Sequence, residues 1–384
     1  MSVIISAGLL AFLLVLGICE RLARDRALSA VPIRIHVNGT RGKSTVTRLV
    51  AGALREAGIP TLAKTTGTAP RLILPDGSER VIRRRAPASI REQLWFMREA
   101  RRLKAAAVVV ECMAVDPDLQ ATTEREMIRA TIGVITNARL DHGDVMGATV
   151  QQVAEALAAT IPDAGVLVVG STDGLEILER AARARGTRVA HAPGGNGAGA
   201  GAGPADPAPA WVADNVQVSL AVTRLLGVDD VLALRGMRSA SPDPGAVHAG
   251  AIAVAGRRID YIDASAANDP ASLGRILGQR TSDAVFVFQH RADRPHRLRQ
   301  FADLPPWTRD ADRVLITGAR PDWMTWRRLR RRLPGPRLAY APSRHVAADL
   351  RRHLLAWPGE PMLVLCGNTK GFNREHVLTG IERG

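Results

Sequence analysis

The residues best able to do chemistry fall into three short groups. The first is Asn38, Gly39, Thr40, Arg41, Gly42, Lys43, Ser44 and Thr45. A lysine and a hydroxyl behind two glycines suit a loop that wraps phosphate. Backbone N–H groups and the lysine neutralise the outer phosphates, and the serine hydroxyl ligates Mg²⁺. The common form of this loop needs a further glycine where this chain has Val37, and here it has moved to Gly39. The second group is a single carboxylate, Glu111, closing the apolar run before it. A carboxylate beside a phosphate loop is the usual second protein partner of Mg²⁺. The third group is Asn137, Asp141, His142 and Asp144. Within it, on the loop after a strand, His142 is a catalytic candidate and not a merely structural histidine.

These groups need rigid elements behind them. Val31 to Val37 reads as a strand with Ile33, Ile35 and Val37 on one face. Val46, Leu49, Val50, Ala53 and Leu54 recur at helical spacing, and Gly58-Ile59-Pro60 ends that helix. The loop therefore joins a strand's carboxyl end to a helix N-terminus, where free N–H groups and the helix dipole favour phosphate. Glu111 and the Asn137 to Asp144 segment fall at the exits of two more strands, the usual ligand side of a parallel sheet. Strands and helices alternate twice, giving an α/β reading with two domains, about 31–240 and 246–384. Residues 192–210, rich in Gly, Ala and Pro, cannot build a core and read as a loop.

The 384 residues carry a net charge of +15, with only four lysines, so arginine dominates. Such a balance favours a polyanionic partner or an anionic surface. An aromatic content of 4% argues against base-stacking platforms, and the three scattered cysteines exclude a disulfide framework or a zinc site. Val3 to Cys19 is apolar and free of charge, with Arg21, Arg24 and Arg26 directly after it. That polarity is opposite to a cleaved signal's. It predicts one transmembrane anchor over 1–22, with the remaining chain in the cytoplasm.

The GTRGKST loop, Glu111 and the Asn-x-x-x-Asp-His-x-Asp pattern together resemble the Mur ligase superfamily of ATP-dependent amide ligases, whose loop carries glycine at the Gly39 place. Arg41 to Arg48, Lys64 to Thr68, Glu111 to Val115, Asp141 to Gly147 and Ala159 to Pro162 resemble one branch, the ligase subunits of poly-γ-glutamate synthase (PgsB/CapB). Pro242 to Ala246, Ala266 to Pro270 and Arg291 to Arg294 extend the likeness. The resemblance implies a Mur-ligase-like central P-loop ATPase domain and a C-terminal Rossmann-like α/β domain behind one N-terminal transmembrane helix. It implies ATP and Mg²⁺, with Lys43 on the outer phosphates, Ser44 and Glu111 on one metal, and His142 on a second. It also implies that Asn215 contacts the nucleotide. Asn268, Asp269, Arg291 and Asp293 would position the incoming amino acid and close over ATP.

Implied partners are glutamate, the growing poly-γ-glutamate chain, small membrane subunits of the PgsC/CapC and PgsA/CapA type, and further copies of the chain itself, but no nucleic acid. Two departures stand out. No lysine lies between Lys104 and Lys370, so the carbamylated lysine of many Mur ligases has no counterpart. Pro244-Gly245-Ala246 also replaces a common Pro-Gly-Arg. Ligases of folate or of peptidoglycan precursors are the nearest alternatives. A basic nucleic-acid or lipid-binding protein is the more distant one, suggested by Arg83 to Arg85 and Arg327 to Arg332.

Overall fold

The computed structural model describes residues 2–67, 70–84, 86–140, 143–192, 210–243, 247–265, 269–278, 282–307, 309–357, 361–368 and 374–383. The chain forms two compact units, Met1–Asp243 and Pro244–Gly384.

The first unit begins with α1 (Ser2–Ser29), then β1 (Ile33–Asn38), α2 (Lys43–Glu56), β2 (Thr61–Thr65), β3 (Arg71–Ile73) and β4 (Glu79–Val81). It continues through α3 (Glu92–Arg102), β5 (Ala107–Glu111), α4 (Pro117–Thr122) with a π-helical turn behind it, β6 (Ile132–Ile135) and α5 (Val150–Leu157). It closes with β7 (Val166–Val169), α6 (Leu175–Ala184), β8 (Arg188–His191), α7 (Ala210–Leu225) and α8 (Asp230–Ser239). The strands make one sheet in the order β4-β3-β2-β5-β1-β6-β7-β8. Its pairs are parallel except for the β2-β3-β4 edge.

The period-two pattern of β1 explains both faces of this sheet. Ile35 and Val37 enter a fully buried cluster with Val46, Val50 and Leu54 of α2 and Val218 and Val222 of α7. On the other face, Leu62, Val108 and Val110 pack with Phe96 and Met97 of α3. Val153 and Leu157 of α5 join Leu167 and Leu178 in a further cluster. Local caps set the helix starts. Asp116 accepts from the N–H groups of Asp118 and Leu119 ahead of α4, and Thr149 with Gln152 forms a capping box on α5.

Helix α1 has 28 residues, about 42 Å at ~1.5 Å each, against a ~30 Å hydrocarbon layer. Among the described residues, Ile4–Ser29 is the one stretch long and apolar enough to cross a membrane. Its side chains are exposed from Ile4 to Ala23, whereas Ala27 and Leu28 are buried against the α3 cluster. Arg24 Nη1 lies 3.0 Å from Glu126 Oε2, so the carboxyl end of the helix is docked on the body of the first unit.

The second unit contains β9 (His248–Val254), β10 (Arg257–Asp263), α9 (Pro270–Leu277), β11 (Ala284–His290), α10 (Pro295–Asp303), β12 (Arg313–Gly318), α11 (Trp323–Arg332), β13 (Leu338–Ala341), α12 (Val346–Leu355), β14 (Met362–Cys366) and α13 (Arg374–Arg383). The sheet order is β13-β12-β11-β14-β10-β9, parallel apart from the β9–β10 hairpin. β11 is buried throughout, because Phe286 and Phe288 face α10 and α11 while Val285 and Val287 face α12 and α13. A strand covered on both faces reads as a continuous apolar run. The strand order doubles back where β14 slots between β11 and β10, a topological switch point.

Candidate active site

The loop between β1 and α2 is built around two glycines that no other residue could replace without strain. Gly39 has φ +128° and Gly42 φ +82°. A methyl group built on Gly39 would sit 2.1 Å from Thr136 Oγ1, and one on Gly42 would sit 2.4 Å from Asn215 Oδ1. The shifted glycine is therefore the point where the loop backs onto the exit of β6. Asn137 clamps the same turn. Its Oδ1 accepts from Thr40 Oγ1 at 2.7 Å and from Arg41 N at 3.2 Å, while its Nδ2 donates to Arg41 O at 3.1 Å. Asn38 points inward, donating to Gln120 Oε1 at 2.8 Å and Thr160 Oγ1 at 3.1 Å and accepting from Gly39 N. Thr45 lies in the first turn of α2, partly exposed.

Lys43 opens α2 and folds back, its Nζ donating to Gly39 O at 2.6 Å. This places the ammonium across the mouth of the loop. Ser44 Oγ donates to Glu111 Oε2 at 2.8 Å, and the same oxygen accepts from Thr66 N at 2.7 Å. Two neighbouring oxygens on an octahedral Mg²⁺, each at ~2.1 Å, lie about 3 Å apart. The hydroxyl–carboxylate pair already has that separation, so the donor set fits one hard cation with sites left for phosphate and water. Among the described residues, no group of three His, Cys, Asp or Glu side chains could hold a metal. Asp141 and His142, and with His142 the expected second metal ligand, lie outside the described residues.

Behind the loop, on the α3 side of the sheet, is a buried polar layer that sequence reasoning missed. His36 Nδ1 is 2.7 Å from Glu124 Oε2, and both groups are buried. Burial alone would lower the imidazole, but Cys112 and Glu124 outweigh it and raise His36 to about 10. Lys64 is fully buried, with Nζ 3.0 Å from Gln93 Oε1 and 3.2 Å from Glu92 Oε2. Its burial pushes the ammonium down against the pull of Glu92. The available signals were a histidine and a lysine inside otherwise apolar strand patterns.

In the second unit, Arg291 and Asp293 follow β11 and form an exposed two-pronged pair at 2.8 and 2.5 Å. Asp269 caps α9, accepting from Ser272 N at 2.8 Å. Asn268 lies outside the described residues, as do Pro244 to Ala246. Sequence reading also passed over buried polar groups at the carboxyl ends of β10, β11 and β14. Asp263 accepts from Ser265, Arg297 donates to Asn368, and Asn368 Nδ2 donates to Gln289 O at 2.9 Å.

Comparison with known proteins bears on both units. The Mur ligase middle domain family matches residues 37–201, and the poly-gamma-glutamate synthase CapB C-terminal domain family matches residues 251–382. The chain is 39% identical over 316 residues to the capsule biosynthesis protein CapB of Bacillus anthracis, covering 80% of this chain and 68% of that one. It is 38% identical over 315 residues to the PGA synthase CapB of Bacillus subtilis (strain 168), covering 80% of each. The chain belongs to the CapB family. Among solved structures, the CapB-family fold is shared with the Mycobacterium tuberculosis folylpolyglutamate synthase complexed with ADP and AMPPCP. That match has a TM-score of 0.61 at 18% identity, over 95% of this chain and 94% of that one. A bifunctional folylpolyglutamate synthase/dihydrofolate synthase with Mn, AMPPNP and L-glutamate bound matches at TM-score 0.61 and 16% identity, over 91% and 90%. The Mur-ligase-like α/β fold expected from the shifted glycine is thus the fold of this CapB-family chain.

Proposed function

We propose that the chain is an ATP-dependent amide ligase that lengthens poly-γ-glutamate by one glutamate at a time. The observation that carries this reading is the Ser44–Glu111 pair, set beside Lys43 in a loop that only Gly39 and Gly42 allow, in a CapB-family chain. ATP and Mg²⁺ are the cofactors. Ser44 and Glu111 hold the ion, which when bound neutralises phosphate charge and polarises the transferring phosphoryl group. His142 would hold a second ion. Lys43 leaves Gly39 O for the outer phosphates, the N–H groups of Gly39 to Thr45 wrap them, and Asn215 borders the nucleotide.

A carboxylate cannot be aminated directly because oxide is a poor leaving group. The chain-end carboxylate oxygen attacks the terminal phosphorus, and the bond to ADP breaks. The glutamate amine then attacks the acyl carbon, phosphate leaves with the carbon–oxygen electrons, and the amine proton passes to solvent. Positioning and charge stabilisation are the protein's contribution. Asn268, Asp269, Arg291 and Asp293 orient the amine. Helix α1 anchors the chain in the cell membrane with the catalytic domains in the cytoplasm, beside small subunits of the PgsC/CapC and PgsA/CapA type. Nucleic acid is not a partner. ADP release from membranes bearing the chain tests the reading: glutamate should stimulate it, whereas alanine, lysine and diaminopimelate should not. Stimulation by a folate or muropeptide acceptor alone would replace it with another ligase of the same superfamily.

A further inference from the structure

The arginine run at 327–332 is not used by the ligase chemistry. It lies on α11, which buries Thr325, Leu329 and, just beyond its end, Leu333 against the second unit's core. The opposite side is unusual. Trp323 and Met324 are 70% and 69% exposed on the first turn. Arg327 stacks 5.3 Å from the Trp323 ring centre, and Arg330 stacks 5.7 Å from that of Trp326. Between residues 320 and 332 the sequence holds six arginines and one acid, Asp322. That acid is engaged in capping, accepting from Thr325 N at 2.9 Å and Thr325 Oγ1 at 2.7 Å. Arg328 pairs with Asp303 at 2.6 Å, whereas Arg327, Arg330 and Arg331 make no salt bridge among the described residues.

We propose that α11 is a second membrane contact, docking on an anionic lipid surface through Trp323, Met324 and the arginines around them. Arginines beside an exposed tryptophan and methionine match an interface that is anionic at the headgroups and apolar just beneath. A soluble polyanion such as the polymer product would engage the arginines but gives no reason to expose Trp323 and Met324. The proposal rests on the reading that α1 lies in a bilayer, and docking of α11 would hold the second unit against the surface where the anchored chain works.

The test uses the full chain reconstituted in phosphatidylcholine vesicles with or without phosphatidylglycerol, each made with lipids brominated high on the acyl chain. Flotation reports the anchor, and the difference in tryptophan quenching between the parent and Trp323→Phe reports the depth of residue 323. Quenching at 323 should appear only in the anionic vesicles and weaken at high salt. It should fall when Arg327, Arg330 and Arg331 are changed to Gln. The docked-to-undocked ratio should drop about five-fold per charge, on the order of a hundred-fold for three. Flotation without quenching at 323 overturns the docking and leaves the anchor standing. Failure to float overturns both. An emission shift at Trp323 caused by soluble poly-γ-glutamate, with none from lipid, would assign the surface to the polymer instead.

Discussion

Replacing Gly39 by alanine isolates the feature that separates this loop from the common phosphate loop. Two costs add. A side chain at φ +128° is strained by about 1–3 kcal/mol. The new methyl would also stand 2.1 Å from Thr136 Oγ1 and 3.0 Å from Thr136 N, an overpacking of about 1–3 kcal/mol. The sum, about 2–6 kcal/mol, corresponds to a fall in melting temperature on the order of 10 °C for a unit of this size. Thr136→Ala removes only the hydroxyl clash. Alone it should cost about 0.5–1.5 kcal/mol for the single proton its hydroxyl donates, directed at Arg41 O at 2.5 Å with Asn38 O at 3.3 Å beside it. Combined with Gly39→Ala, it should recover about 0.5–3 kcal/mol relative to additivity, because the backbone strain and the contact to Thr136 N persist. Scanning calorimetry of the full chain in detergent, with and without ADP, gives all four corners of the cycle. A Gly39→Ala protein that melts and binds ADP like the parent, or a strictly additive double variant, would refute the steric account of this glycine.

Lys43→Ala should lower turnover by about 10²–10³-fold or more without moving the melting temperature, since Nζ contacts only Gly39 O in the loop. Stopped assays beside calorimetry check both halves. Glu111→Gln preserves the shape that meets Ser44 and Thr66 but removes the charge. Half-saturating Mg²⁺ should therefore rise at least about ten-fold, with partial rescue at high Mg²⁺, as read from ADP release across a Mg²⁺ titration. His36, raised to about 10 from an ordinary 6.5, binds its proton more tightly folded than unfolded. Its contribution is complete below pH ~6.5 and is lost as the pH climbs towards 10, so denaturant midpoints should decline over that window. His36→Phe combined with Glu124→Gln should flatten the decline.

The site was legible where chemistry shows on the surface of the pattern. Gly39, Gly42, Lys43 and Ser44 sit between an alternating strand and an amphipathic helix, and Glu111 ends an apolar run, so local periodicity alone brought them to one sheet edge. The buried layer was not legible. His36–Glu124 pairs residues 88 apart, and Lys64 meets Gln93 across 29. Nothing in the spacing says that the π-helical turn after α4 and α3 will return to cover those strands. Asn137 is intermediate. Its place after β6 was visible, but its grip on Thr40 and Arg41 depends on β6 lying next to β1, which only the sheet order determines. The extent of α1 was also hidden, because the apolar run ends at Cys19 while the helix continues to Ser29 and docks through Ala27 and Leu28.

Mass analysis of the product made by membranes carrying this chain, with ATP, Mg²⁺ and glutamate as the only amino acid, tests the central claim most directly. The expected result is a ladder spaced by one glutamate residue. It should be absent with Lys43→Ala and resistant to proteases that cut α-peptide bonds. A single adduct on a folate or muropeptide acceptor, or ATP turnover with no glutamate incorporated, would contradict it.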